Sequence, residues 1–261
     1  MSVASPTASL SHVTTEDWGR VYEPAEDSWL LCDALCTDAS VWRSSPLTLM
    51  LELGSGSGAV CTSALLYLQQ QQQQQHGTKS DALSPLCLAC DLSPHACRVT
   101  ASTGQENGVG GRLEVVQCDL LDALRWRLRG AVDLFLFNPP YVPTPSEEVP
   151  LPGAFAGAAG AGGAAALDTL PAAWAGGENG REVIDRALPL LKELLRQPSS
   201  GDAGGAAYLL LLQDNDPEGI AATLASWGMQ ASVIARRQAP CESLLVMRVQ
   251  WAPSDHPSKA Q

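Results

Sequence analysis

Short apolar runs alternate with amphipathic stretches along most of the chain. Leu47–Leu53 (LTLMLEL) is apolar and stops at glycines. Ala59–Leu68 follows with apolar residues at helical spacing, and Leu86–Asp91 is a second short apolar run that ends in an acid. Pro94–Asn107 predicts a helix, opened by Ser93 as N-cap and closed near Gly108. Leu113–Cys118 and Val132–Phe137 read as strands, each followed by a polar loop. Arg181–Leu195 carries Ile184, Ala187, Leu188, Leu191 and Leu195 on one face and is the clearest helix. Ala207–Leu212, Gln230–Arg236 and Ser243–Trp251 supply the remaining strands. Short strands alternating with helices predict an α/β fold, with a mostly parallel sheet covered on both faces. The last two strands are joined by a short connection containing Pro240, which suits a final antiparallel hairpin.

Three segments break this alternation: the Gln69–Gln75 tract and its polar continuation to about residue 85, Gly153–Ala166, and Gln197–Ala206. Their biased composition cannot build a core, so they are expected to be insertions or disordered connectors. Residues 1–20 and 253–261 are likewise expected to be disordered, which leaves one domain over residues 21–252.

A net charge of −12 argues against unaided nucleic-acid binding, because neutralising phosphates needs a basic surface. The cluster Arg125, Arg127 and Arg129 reads as the solvated face of a short helix. No run of about 18 apolar residues predicts a membrane span. The first twenty residues lack the apolar stretch of a secretory signal and carry Glu16 and Asp17. The eight cysteines are therefore read as reduced thiols of a cytoplasmic or nuclear protein. Cys87 and Cys90 form a C-x-x-C inside an apolar run, with no second pair at zinc spacing, and the four histidines are scattered. No metal site is expected.

Candidate chemistry gathers at the ends of the strands. The first strand runs into Gly54-Ser55-Gly56-Ser57-Gly58, where glycines permit a tight turn and let backbone N–H groups approach a ligand at a helix N-terminus. Alone this signal is weak, and Ala59 after Gly58 departs from the dinucleotide fingerprint. Three acids sharpen it. Glu52 lies within the first strand, Asp91 ends the second where a carboxylate can accept ribose hydroxyls, and Asp119 ends the third where an adenine would lie.

The fourth strand delivers Asn138-Pro139-Pro140-Tyr141 to the same edge. The two prolines stiffen the loop and remove two donors, so its carbonyls can act as acceptors, and the Asn side chain adds another. Paired acceptors beside an aromatic ring suit a flat –NH₂ group: they hold its hydrogens and leave the nitrogen lone pair free to point elsewhere.

With these residues in view, the chain resembles the class I amino-methyltransferases, whose [DNS]-P-P-[YFW] motif methylates adenine N6, cytosine N4 or a glutamine amide. Within that class it is similar to the HemK-type N5-glutamine methyltransferases, in the eukaryotic and archaeal branch that modifies translation release factors. The resemblance rests on Tyr22-Glu23-Pro24-Ala25-Glu26-Asp27-Ser28, Leu51–Gly58, Asn138–Val142 and Ala173–Glu182, and runs from about Tyr22 to Val249.

The resemblance implies a Rossmann-like, seven-stranded class I fold and S-adenosyl-L-methionine as cofactor. It implies cofactor contacts at Ser28, Glu52, Gly54, Gly56, Asp91, Asp119, Leu120 and Asn138, and substrate contacts at Asn138, Pro139, Pro140 and Tyr141. Asn138, Pro139 and Tyr141 are the expected catalytic residues, and no general base is assigned. The branch implies a release factor as substrate and a small zinc-binding activator subunit forming a heterodimer. Bacterial relatives carry an N-terminal helical docking domain where this chain has about twenty residues, so docking is expected to use the core or the partner. The Gly/Ala insertion between Tyr141 and Trp174 departs from the family pattern. Three alternatives stand beside this reading: a DNA adenine-N6 methyltransferase, additional activity on protein lysines, and a non-catalytic cofactor-binding scaffold.

Overall fold

The structure, a computed structural model, describes residues 6–42, 47–76, 85–150, 170–240 and 242–253. Seven helices are α1 (Thr15–Trp18), α2 (Glu26–Thr37), α3 (Ala39–Trp42), α4 (Ala59–His76), α5 (Pro94–Glu106), α6 (Glu182–Leu194) and α7 (Pro217–Ser226). The strands are β1 (Leu49–Leu53), β2 (Leu86–Asp91), β3 (Leu113–Gln117), β4 (Leu134–Phe137), β5 (Ala206–Leu212), β6 (Met229–Ala239) and β7 (Glu242–Trp251). They form one sheet in the order β3-β2-β1-β4-β5-β7-β6. Strands β1 to β5 pair in parallel, while β7 runs antiparallel to both β5 and β6. This is the expected α/β sheet with its closing hairpin.

The apolar runs explain the layering. Every residue of β4 and β5 is buried, as strands covered on both faces require. Along β4 the side chains alternate. Phe135 and Phe137 meet Ile184, Ala187, Leu188 and Leu191 of α6, together with Leu209 and Leu211 of β5. Leu134 faces the other way, toward Cys32 and Leu35 of α2 and Ala64 and Tyr67 of α4. The core is thus a helix–sheet–helix sandwich, and the loops at the carboxyl ends of β1 to β4 lie side by side.

Several expectations need correction. Residues 1–20 are not uniformly disordered, since residues 7–20 include a capped helix and bonds to distant parts of the chain. The amide of Ala8 donates to Ser63 Oγ at 3.0 Å, and the Asn107 carboxamide brackets Ser9 with bonds of 2.7 and 2.9 Å. Thr14 and Asp17 form a reciprocal cap on α1, and Asp17 reaches His95 at 2.9 Å. Val13 and Val21 pack against Ala96 and Val99. The polar composition that suggested disorder is spent on caps and on bonds to distant residues.

The Gln69–Gln75 tract continues α4 rather than ending it, because glutamine is a good helix former and extending an established helix is easy. Gln197–Gly205 is a compact turn. Ser199 and Asp202 exchange backbone bonds of 3.1 and 3.0 Å, Asp202 pairs with Arg196, and Gly204 takes φ +81° to donate to Asp202 at 2.9 Å. The polar stretch after the Gln tract falls on residues 77–84, and the Gly/Ala segment and the C-terminal tail fall on residues 151–169 and 254–261, outside the described residues. Helices α2 and α7 carried no periodic signal that predicted them. Leu30, Leu31, Cys32, Ala34 and Leu35 are all buried along α2, which blurs a polar and an apolar face into one. No described helix is long and apolar enough to cross a membrane.

Candidate active site

The glycine turn after β1 is built from three left-handed residues, Gly54 (φ +63°), Gly56 (φ +55°) and Gly58 (φ +75°). At Gly58 a Cβ would lie 2.9 Å from Thr100 Cα, so glycine is also what lets α4 and α5 approach each other here. Asp91, at the end of β2, anchors the turn. Its Oδ2 accepts from the Gly56 amide at 2.9 Å and its Oδ1 from the Ser93 amide at 2.8 Å. Burial raises its carboxyl above the usual aspartate range, and the backbone donors of Gly56, Ser93 and Leu92 oppose that rise.

Glu52 is buried in β1 and accepts from the Cys61 amide at 3.1 Å. Desolvation, with the Cys61 thiol and Asp91 nearby, holds its carboxyl well above the usual range. After β3, Leu120 (φ +44°) and Leu121 (φ +69°) make a left-handed turn. It leaves Leu120 lining the cavity and Leu121 in the core. Asp119 pairs with Arg186 of α6 at 2.8 Å.

At the end of β4 the Asn138 amide nitrogen donates to Asp27 Oδ2 at 2.9 Å and lies 3.4 Å from Ser28 Oγ. Its Oδ1 is buried and has no hydrogen-bond partner among the described residues. Such an orphaned buried acceptor costs free energy unless a ligand completes it. The Tyr141 hydroxyl donates to the same Asp27 oxygen at 3.2 Å, and burial with the Asp27 charge pushes its phenol far up. Tyr141 is therefore a tethered wall residue with its ring mostly buried.

The segment that follows Ala173 braces this loop. Val142 accepts from the Gly176 amide at 2.9 Å and donates to the Trp174 carbonyl at 3.0 Å. Asn215, at the end of β5, donates to the carbonyls of Tyr141 and Asn179, both at 2.9 Å, and accepts from the Leu212 amide at 2.7 Å.

Ser28, Glu52, Gly54, Gly56, Asp91, Asp119, Leu120, Asn138, Pro139, Pro140 and Tyr141 all line one cavity of about 380 Å³. That lies within the roughly 300–1,000 Å³ typical of small-molecule sites. Tyr22, Asp27, Trp174 and Glu242 line it too, and sequence reasoning assigned none of them. Asp27 stood inside the Tyr22–Ser28 motif, but its role depends on contacts with residues more than a hundred positions away. Trp174 likewise stood in a quoted motif, whereas nothing in the local pattern pointed to Glu242.

Comparison with known proteins gives this geometry a context. No family model matches the chain. It is 38% identical over 245 residues to the mouse methyltransferase HEMK2, covering 93% of this chain and 95% of that protein. It is 32% identical over 254 residues to the eRF1 methyltransferase catalytic subunit mtq2 of Schizosaccharomyces pombe, covering 93% and 94%. Among solved structures, the E. cuniculi Mtq2–Trm112 complex, described as responsible for methylation of the eRF1 termination factor, superposes with a TM-score of 0.53. At 21% identity, over 89% of this chain and 99% of that one, this supports the fold alone. The chain is thus alignable over nearly its whole length with these enzymes, and it belongs to the HemK-type methyltransferases of the HEMK2 and Mtq2 branch.

Proposed function

We propose that the protein transfers a methyl group from S-adenosyl-L-methionine to the side-chain amide nitrogen of a glutamine in a translation release factor. The observation that carries this reading is the buried Asn138 Oδ1, an acceptor to which no described residue supplies a hydrogen. The fission-yeast relative is named for the same class of substrate.

The cavity fits the cofactor. The Asp91 oxygens accept from the Gly56 and Ser93 amides and keep lone-pair capacity for ribose hydroxyls. Glu52, Asp119 and Leu120 line the same cavity, and Ser28 adds a hydroxyl beside Asn138. When bound, the cofactor supplies an electrophilic methyl on a positively charged sulfur. The chain's own task is to position a poor nucleophile, since the amide lone pair is delocalised into its carbonyl. Asn138 Oδ1 and the Pro139 carbonyl accept the two amide hydrogens, which favours pyramidal nitrogen and aims the lone pair. Holding that geometry supplies much of the rate through effective molarity. Tyr141, Tyr22 and Trp174 add aromatic rings to the cavity lining.

A duplex-DNA substrate is disfavoured. The net charge is −12, and the two arginines lining the cavity are both engaged by acids, Arg20 by Glu16 and Arg186 by Asp119. A small partner subunit, expected from the family resemblance to bind zinc, would complete the enzyme, as the E. cuniculi relative is found in a complex with Trm112. The work of such an enzyme places it in the cytoplasm, where translation terminates. The test is transfer of labelled methyl to a release-factor domain, a lysine-containing peptide, and duplex and single-stranded DNA, each with and without the partner subunit. Labelling of the release factor alone is expected. Preferential labelling of DNA or of lysine would overturn the proposal.

Cofactor affinity should depend on pH through Asp91. The ionised form accepts the ribose hydroxyls, and burial raises the pH at which that form is lost. Affinity therefore falls on acidification, beginning above the range of an ordinary aspartate. Asp91→Asn should abolish that dependence, and Asp91→Ala should cost about tenfold or more in affinity, since a charge-assisted hydrogen bond contributes roughly 1.5–3 kcal/mol. Calorimetry across the acid range checks this, and a pH-independent affinity in the unmodified protein would remove Asp91 from the ribose site.

A further inference from the structure

We infer that Asp27 is a positioning residue for methyl transfer: it locks the Asn138 carboxamide with Oδ1 toward the cavity and holds a buried negative charge behind it. This rests on the function proposed above and deepens it.

An asparagine side chain has a donor end and an acceptor end of nearly equal shape, and its setting decides which end points where. A carboxylate can only accept, so the Asn138 –NH₂ must face Asp27 Oδ2 and Oδ1 must face away from it. Without that carboxylate the carboxamide could turn over and present hydrogens to the hydrogens of the incoming amide.

The fold makes Asp27 a firm reference point. It lies in the first turn of α2, where the helix dipole favours a negative charge, and its Oδ1 is gripped by the Ser28 amide at 2.6 Å and the Ser28 hydroxyl at 3.2 Å. Helix α2 in turn packs against α4 and against β5, β6 and β7.

The electrostatic setting is unusual for a structural residue. Asp27 is 3% exposed, and its hydrogen-bond partners are the Ser28 amide and hydroxyl, the Asn138 amide and the Tyr141 and Tyr22 hydroxyls. All of these are neutral donors, and no ion pair to Asp27 occurs among the described residues. A buried anion without a counter-cation costs stability, and a neutral residue could have supplied plain scaffolding. As methyl transfer proceeds, positive charge builds on the substrate nitrogen. The Asp27 charge, relayed through the polarised Asn138 carboxamide, offsets that charge at the stage where it is largest.

The arrangement also accounts for asparagine rather than aspartate at position 138. An aspartate there would put two carboxylates about as close as the present 2.9 Å contact, and such a pair must share a proton. Exchanging the two residues, Asp27→Asn together with Asn138→Asp, restores one charge and one donor–acceptor contact.

The experiment compares Asp27→Asn, Asn138→Ala, their double variant and the exchanged pair. Single-turnover methyl transfer to the release factor is measured in parallel with cofactor affinity. Asp27→Asn should slow transfer by roughly tenfold or more, the scale of losing a charge-assisted contact, and leave cofactor affinity near its original value. Adding it to Asn138→Ala should cost much less than Asp27→Asn costs alone, because the effect that passes through Asn138 is gone and only the Tyr141 tether is left to lose. The exchanged pair should recover rate relative to either of its single substitutions. In NMR spectra of the ligand-free protein, the Asn138 side-chain amide protons should exchange slowly and do so much faster in Asp27→Asn.

Normal turnover in Asp27→Asn, additive losses in the double variant, or a loss confined to cofactor affinity would each overturn the inference. If the unmodified protein labels no glutamine, the proposed function fails. The exchange of the Asn138 protons still decides separately whether Asp27 holds that side chain.

Discussion

Asn138→Ala is expected to slow methyl transfer by roughly 10²-fold or more, the scale of losing one preorganised polar contact at a reacting centre, while cofactor affinity falls only modestly. The substitution removes the orphaned Oδ1 and leaves the glycine turn, Glu52 and Asp91 in place. It also frees the Asp27 oxygen that the Asn138 amide occupies, but the Ser28 and Tyr141 donors remain on that carboxylate, so the fold should survive. Single-turnover transfer, with cofactor affinity measured alongside, separates the outcomes. Normal turnover would end the catalytic assignment, and a collapse of affinity alone would make Asn138 a cofactor ligand only.

Gly180→Ala is expected to damage the site from a distance. Gly180 has φ +67°, and a Cβ there would lie 1.9 Å from the Tyr141 carbonyl oxygen and 2.6 Å from Asn215 Nδ2. The methyl group would occupy the position of the clamp through which Asn215 joins the Tyr141 and Asn179 carbonyls. Neither neighbour is a flexible side-chain end, because one is backbone and the other is a fully buried amide. The combined strain and broken contacts should cost about 3 kcal/mol or more. For a domain of this size that lowers Tm by about 6–12 °C. Thermal unfolding checks the stability loss, and methyl transfer below the transition should still be impaired because the Asn-Pro-Pro-Tyr loop has shifted. An unaffected Tm would show that the loop accommodates a side chain at this position.

What could be read in the sequence was local. The glycine turn, Asp91 and Asn138–Tyr141 each occupy a few consecutive residues at the end of an apolar strand, and strand ends of a parallel sheet share one edge, so linear order was enough to bring them together. Asp27 was not legible as an orienting group because its partner on the motif is 111 residues away. The N-terminal segment was misjudged for the same reason. Its bonds reach Ser63 and Asn107 across 55 and 98 residues, and a Ser/Thr-rich stretch looks the same whether its hydroxyls face water or cap a helix. Helix α2 escaped because burial along most of its length removes the 3.6-residue contrast on which recognition of a helix depends. In the Gln tract, biased composition pointed to disorder while helix propensity and the preceding turns of α4 set the outcome.

The central claim, that Asn138 presents its acceptor to a glutamine amide, is tested most directly by locating the transferred methyl group. The release factor is incubated with the protein, its partner subunit and labelled cofactor, and the product is mapped by fragmentation mass spectrometry. The account predicts one methyl group on the side-chain nitrogen of a single glutamine, absent when the enzyme carries Asn138→Ala. A methyl group found on a lysine, or an unmodified release factor beside a labelled DNA adenine, would contradict it.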